Sequence, residues 1–310
     1  MNEEPLKIHS YNEWDKLRSI VVGSATNANW PTNDPVFAEE SKKTSWTETP
    51  VPSGPVPQHI VDEANEDLQG LCDILLQAGV DVYRPKEMDF VERGGMYNYC
   101  PRDRLLVAGD DIVDPAMMYP CRDMEIENLN FVTQYANVKT MPRDQDMVLD
   151  AANIARLGDT WLYLESWSGN EAAYRWLCEQ FPSITIEKCN FYAGVHIDST
   201  IVPVNEDVVI VNAHRVKPEM LPNAVKDKDI IWVDDCVPQS FHEYPYASKW
   251  IGINTLSIDP NTIIVDAAQT DLHKQLEKRG ITVVPHTLRH SRTLGGGFHC
   301  VTLDLWRENV

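Results

Sequence analysis

The chain has 310 residues, 43% of them hydrophobic and 24% charged, and it carries a formal net charge of −20 at pH 7. Acidity of that size, spread along the chain, excludes nucleic acid and anionic membranes as partners, because both select basic surfaces. No apolar run reaches the roughly 18–20 residues that span a bilayer, and the acidic residues 1–5 lack the apolar core of a secretory signal.

In chain order, Ser19-Ile20-Val21-Val22 reads as a first strand. Residues 30–57, rich in Pro, Thr and Ser and without an apolar period, are expected to form a long surface loop or lid. Ile60, Val61, Ala64, Leu68, Leu71, Leu75 and Ala78 recur at helical spacing, which predicts a helix over 58–78 with one buried stripe. The strand Val80-Asp81-Val82 follows. From Arg104 one order of elements then recurs: strand, tight turn, strand, helix, strand. The first such unit sets Leu105-Leu106-Val107-Ala108 and Ile112-Val113 around the turn Gly109-Asp110-Asp111, with a helix over about 124–135 and a strand at Val138. The second begins near Asn153, turns at Gly158-Asp159 into Thr160-Trp161-Leu162-Tyr163-Leu164, and continues through a helix over 171–181 to Ile184-Thr185-Ile186. The third begins near Asp198, turns at Asn205-Glu206-Asp207 into Val208-Val209-Ile210-Val211, and reaches Ile230-Ile231-Trp232-Val233 through a short helix at 218–221. The fourth begins near Asn254, turns at Asp259-Pro260-Asn261 into Thr262-Ile263-Ile264-Val265, and ends with a helix over 271–279 and Ile281-Thr282-Val283-Val284.

The two ends of the chain supply a fifth unit. Residues 300–306 form its first strand, 19–22 its second, 58–78 its helix and 80–82 its last strand. The expected fold is α/β: five ββαβ units around a pseudo-fivefold axis, a five-bladed α/β propeller forming one domain over residues 1–310. The C-terminal strand then pairs with the N-terminal one, and the ring has no open edge there.

Reactive residues fall at one phase of this repeat. Asp103 precedes the first unit, Asp150 the second, His196 and Asp198 open the third, and Cys300 opens the fifth behind Gly295-Gly296-Gly297-Phe298-His299. Taken singly, each has an ordinary reading: Asp103 as a turn residue or ion-pair partner, Asp150 as a turn cap, His196 as a core histidine, Cys300 as a core thiol. Their common phase points them to one end of a closed propeller, where converging polar groups make a site. The three glycines free the backbone for positive φ or close approach. Two carboxylates in one pocket repel unless a cation sits between them, and a planar guanidinium suits Asp103 and Asp198. A Cys300 thiolate can attack its carbon, His196 can carry the proton for an amine leaving group, and Asp150 can orient the imidazole. His299 stands nearby as a supporting group. Seven cysteines, an odd number with no Cys-x-x-Cys pair, show no metal-ligand spacing and read as free thiols of a reducing cytoplasm.

With these residues in view, the chain resembles the amidinotransferases of the guanidino-group-modifying pentein superfamily. The matching stretches are Ser10-Tyr11-Asn12-Glu13-Trp14-Asp15, Pro101-Arg102-Asp103, Asp150-Ala151-Ala152, His196-Ile197-Asp198, Ser248-Lys249-Trp250 and residues 294–300. The resemblance implies a ping-pong transfer: Cys300 takes the amidino group of L-arginine, ornithine leaves, and an acceptor amine such as glycine collects the group. It also implies Arg215 as partner of the donor's α-carboxylate and Tyr97 and Ser248 as further donor contacts. It implies no cofactor or metal, small-molecule substrates only, and dimerisation as a common family trait. Departures from the family pattern are Asn153 in place of an Asp, Val195 before the histidine, Ser24 after Val22-Gly23, and a shorter stretch near 139–148. They bear on the acceptor, which the sequence leaves open. A guanidino hydrolase on the same scaffold and a non-catalytic pentein are the alternatives.

Overall fold

The computed structural model describes residues 6–31, 33–44, 53–192, 194–236 and 247–308. Five three-stranded sheets share one topology, an antiparallel pair followed by a parallel third strand. One blade joins the chain ends: Thr302–Glu308 runs antiparallel to Lys16–Val22, with Val22 opposite Thr302 and Lys16 opposite Glu308, and Asp81–Tyr83 adds in parallel. The next is Leu106–Ala108, Asp111–Asp114 and Asn137–Thr140. Then come Ile154–Leu157, Thr160–Leu164 and Thr185–Cys189. Ile201–Pro203, Val208–Asn212 and Asp229–Val233 form the fourth sheet, and Leu256–Asp259, Thr262–Asp266 and Thr282–His286 the fifth. These are the five ββαβ units the repeat predicts, closed by the two termini. Middle strands such as Val208–Asn212 are buried at every position, which is why they read as unbroken Val/Ile runs rather than alternating ones.

The helices cover the sheets. Gln58–Gln77 buries Ile60, Val61, Ala64, Leu68, Leu71 and Leu75, the stripe read from the sequence except for Ala78, which caps the helix end and is exposed. Its end is followed by Gly79 at φ 78°, a left-handed position that glycine takes without penalty. Glu171–Gln180 and Thr270–Glu277 do the same for two other blades. All seven cysteines are unpaired. Among the described residues no helix is long and apolar enough to cross a membrane.

Two expectations are corrected. The helix placed at 124–135 is a 3₁₀ helix, Pro120–Leu129, followed by one α-turn, Asn130–Thr133. Its side chains Arg122, Glu125 and Asn128 are buried for polar contacts, so no α-helical stripe is needed there. The segment 30–57 is not all loop. It carries the helix Pro35–Thr44, and Asn29–Trp30 pairs with Gly54–Pro55. Asp34 caps that helix through Val36 N and Phe37 N, and Phe37 packs edge-on against Tyr119 at 5.4 Å. One buried aromatic, Phe37, is too little to register as a period. Residues 45–52 of that segment lie outside the described residues.

The propeller axis is ionic rather than oily. Arg156, fully buried, donates to Glu13 and Asp304 at 2.8 Å each, to Ser10 Oγ at 2.9 Å and to the Val107 carbonyl at 2.8 Å. Arg307 and Arg102 also meet Asp304. Removing one partner of such a network strands the others' charges in a dry interior. Arg156→Ala is therefore expected to cost about 3–5 kcal/mol of stability, read from the denaturant midpoint.

Candidate active site

One end of the axis opens into a cavity of about 210 Å³. Tyr97, Asp103, Asp150, His196, Asp198, Arg215, Ser248 and Cys300 all line it. The eight residues singled out from the sequence are therefore neighbours, although they span more than 200 positions. Arg122, Trp167, Tyr119, Tyr192, Val195 and Ile251 are further parts of the wall.

Cys300 is 1% exposed. The side chain of Asn254 holds its backbone: Oδ1 accepts from Cys300 N at 3.0 Å and from His299 N at 2.9 Å. The thiol donates to Asp198 Oδ2 at 3.2 Å. Of the three glycines only Gly295, at φ 82°, needs a left-handed backbone. Gly296 and Gly297 are there for closeness. A Cβ on Gly296 would stand 2.6 Å from Cys100 Sγ, and one on Gly297 2.6 Å from Asn254 Cβ and 2.9 Å from the Ile251 carbonyl. Gly297→Ala is expected to displace Asn254 and to cost about 1–3 kcal/mol, checked by thermal unfolding together with the alkylation rate of Cys300.

His196 sits at φ 58°, which is rare outside glycine and is a form of stored strain found at functional positions. Three bonds hold it. Its N–H donates to Asn153 Oδ1 at 2.9 Å, its carbonyl accepts from Tyr192 OH at 2.6 Å, and its Nε2 meets Asp150 Oδ2 at 3.0 Å. Asp150 is itself fixed by Met118 N, which donates to Oδ1 at 2.9 Å. The side chain of Asp150 does not cap its turn. His196 Nδ1 is left 3.7 Å from Asp103 Oδ1. Burial opposes charge on the imidazole, but Asp103 and Asp150 outweigh it and lift its pKa to about 9.

Asp103 is an ion-pair partner as well as a wall of the cavity. Arg122 donates to its Oδ2 at 2.7 Å, while Oδ1 is buried with no hydrogen-bond partner. Burial raises the Asp103 carboxyl. Asp198 behaves oppositely: burial pushes it up, but the bond from His299 and the nearby imidazoles hold it down at about 2. Burial, then Asp198 and Asp103, push the Cys300 thiol well up. The resting site is thus a thiol and an imidazolium beside carboxylates.

Arg215 stacks over Tyr192 at 4.2 Å and donates to Thr200 Oγ1 at 2.9 Å and Ser248 Oγ at 3.0 Å. Sequence reasoning did not find Arg122, Asn254 or the part played by Asn153. Arg122 is held by Glu125 at 2.9 Å and lies over the Tyr97 ring at 5.0 Å. Nothing in its local pattern distinguishes it from a surface arginine. Asn153 makes four side-chain bonds, to His196 N, Ser168 Oγ, Ser166 Oγ and the Leu164 carbonyl, so the amide fills this place completely.

A five-bladed ββαβ propeller with a cysteine, a histidine and paired carboxylates at one end of its axis is a pentein. No family model matches the chain. It is 36% identical to inosamine-phosphate amidinotransferase 1 of Streptomyces glaucescens over 333 aligned positions, covering 96% of each. It is 27% identical to the mitochondrial glycine amidinotransferase of Xenopus laevis, covering 97% of this chain and 83% of that one. The solved inosamine-phosphate amidinotransferase of Streptomyces griseus superposes with a TM-score of 0.90 at 34% identity, covering 98% of both chains. The chain belongs to the amidinotransferase family, enzymes that transfer amidino groups.

Proposed function

We propose that the protein moves the amidino group of L-arginine, through a covalent amidino-cysteine on Cys300, to an amine. The observation that carries this reading is Asp103 Oδ1, buried and without a hydrogen-bond partner, on the wall of a cavity that also holds the thiol and the imidazolium. A guanidinium between Asp103 and Asp198 satisfies that oxygen and supplies the cation that makes a thiolate affordable beside two carboxylates. Arg215 then meets the donor's α-carboxylate, with Ser248 and Tyr97 along its length.

The steps balance. Cys300 loses its proton to solvent as the guanidinium enters. The thiolate forms a bond to the guanidino carbon, and the bond from that carbon to the donor's Nε breaks as His196 gives its proton to the departing amine. Ornithine and a cationic amidino-cysteine result. In the second half the acceptor's amine attacks the same carbon, neutral His196 takes its proton, and Cys300 leaves as thiolate. Asp150 supports the imidazolium in both halves. The protein carries the group on its own cysteine, with no cofactor, in a reducing cytoplasm.

Because His196 must enter the first half protonated, single-turnover ornithine release at saturating arginine, where the bound guanidinium already holds Cys300 as thiolate, is expected to hold below about pH 8. It should fall as pH rises through about 9, where the imidazolium is lost. A rapid-quench series across that range checks the sign. Glycine is the first acceptor to test, since Arg215 suits its carboxylate, and inosamine phosphate the second. Incubation with arginine and an amine panel, read by mass spectrometry for new guanidino products, decides between them. Citrulline and ammonia from arginine alone would establish a hydrolase instead.

A further inference from the structure

The reaction above makes no use of His299, yet its ring is held as firmly as that of His196. It is 7% exposed and lies between two carboxylates, with Nδ1 2.9 Å from Asp198 Oδ2 and Nε2 3.2 Å from Glu13 Oε2. Glu13 has no proton to give: its oxygens already accept from Arg156 Nε at 3.0 Å, Arg156 Nη2 at 2.8 Å and Arg156 N at 3.1 Å. Asp198 Oδ2 also accepts the Cys300 thiol. An ionised carboxylate is an acceptor only, so both ring nitrogens must carry protons. The other charges facing this ring are Arg102, whose Nε approaches the His299 carbonyl at 3.4 Å, and, beyond Glu13, Arg156 and Asp304. Burial and Arg102 oppose the imidazolium, while the bonds to Asp198 and Glu13 favour it and prevail.

We infer that His299 is a positioning residue: a fixed buried cation, anchored by Glu13, that clamps Asp198 Oδ2 and offsets the carboxylate field at Cys300 Sγ. This rests on the amidino-transfer reading for its purpose. Holding Oδ2 from behind leaves the other carboxylate oxygen for the donor's guanidinium. The positive charge, one hydrogen bond removed from the thiol's own acceptor, lowers the cost of making the thiolate. The chain Cys300–Asp198–His299–Glu13–Arg156 thereby couples the nucleophile to the ionic axis that holds the blades together.

The test is the pH dependence of Cys300 alkylation by iodoacetamide in the whole protein. His299→Asn keeps an amide donor near the Nδ1 position but removes the charge. Its alkylation midpoint is expected to move up by about one pH unit or more, roughly a tenfold slower reaction at a fixed pH below the midpoint. Glu13→Gln removes one charge of each sign, because the ring then becomes neutral, and is expected to move the midpoint less. A purely structural role would lower the melting temperature of both variants and leave the midpoint where it was; that result overturns the inference. Should the variants fail to fold, the wild type still decides. With ¹⁵N-labelled histidine, His299 is expected to keep both ring protons at about pH 8, and a single ring proton there overturns the assignment. Neither readout needs the donor. Failure of the wild type to release ornithine from arginine would sink the transfer reading separately.

Discussion

Cys300→Ala is expected to abolish ornithine release from arginine, lowering turnover by about four orders of magnitude or more, because no neighbour can take over the covalent step. Cys100 is buried, its thiol is pushed well up by burial and then Asp103, and it lies outside the cavity lining. The substitution removes one sulfur and leaves Asp198 bonded to His299 and Asp103 bonded to Arg122. Arginine should therefore still bind, with its dissociation constant changed by less than about tenfold, as measured by calorimetry. The amidino-cysteine adduct seen by mass spectrometry in the wild type should be missing. Turnover by this variant above about one per cent of wild type would end the covalent assignment.

The second large effect belongs to His196. His196→Asn should slow the first half-reaction by about 10²–10⁴-fold with arginine, the range typical of a lost general acid. The loss should depend on the leaving group. A donor that releases a thiol instead of an amine needs no proton at that step, and it should recover most of the rate. Asp150→Asn is expected to act in the same direction but less strongly, since it leaves the imidazole present and only unpairs Nε2. An equal loss for amine-releasing and thiol-releasing donors would assign His196 to binding or folding. The strained φ of 58° makes a fold control necessary, and circular dichroism of the Asn variant supplies it; Asn tolerates that backbone region better than most residues.

The parts of this protein that were legible in its sequence are those written in a period. Apolar runs with tight turns between them gave four of the hairpins, and the apolar runs at the two ends gave the fifth pair. The stripe from Ile60 to Leu75 gave the long helix, and the recurrence of one element order gave five blades. Because equivalent positions of a repeat fall at equivalent places around an axis, the same period also led from Asp103, Asp150, His196, Asp198 and Cys300 to one cavity. Where local chemistry outweighed the period, the reading failed. Residues 124–135 read as one helix, but the chain there forms the 3₁₀ helix Pro120–Leu129 and a single α-turn, with Arg122 and Glu125 buried in a polar site. Pro35–Thr44 reads as a loop because most of its residues are polar and its cap is a single aspartate.

By itself, then, the sequence determined the architecture, the closure of the ring by its two ends, and the convergence of Asp103, Asp150, His196, Asp198 and Cys300 on one cavity, since each is a statement about spacing along one chain. Only the tertiary structure decided what state those residues are in. Asp103 has one oxygen committed to Arg122 and one left over. Asn254 and Asn153 fix the backbones of Cys300 and His196. His299 stands between Asp198 and Glu13, residues 101 and 286 positions away. Charge, tautomer and orientation depend on which groups meet across the axis in a water-poor interior, where an unpaired polar atom is costly. Apart from the Asp103–Arg122 pair, such meetings join different blades, and no local pattern encodes them.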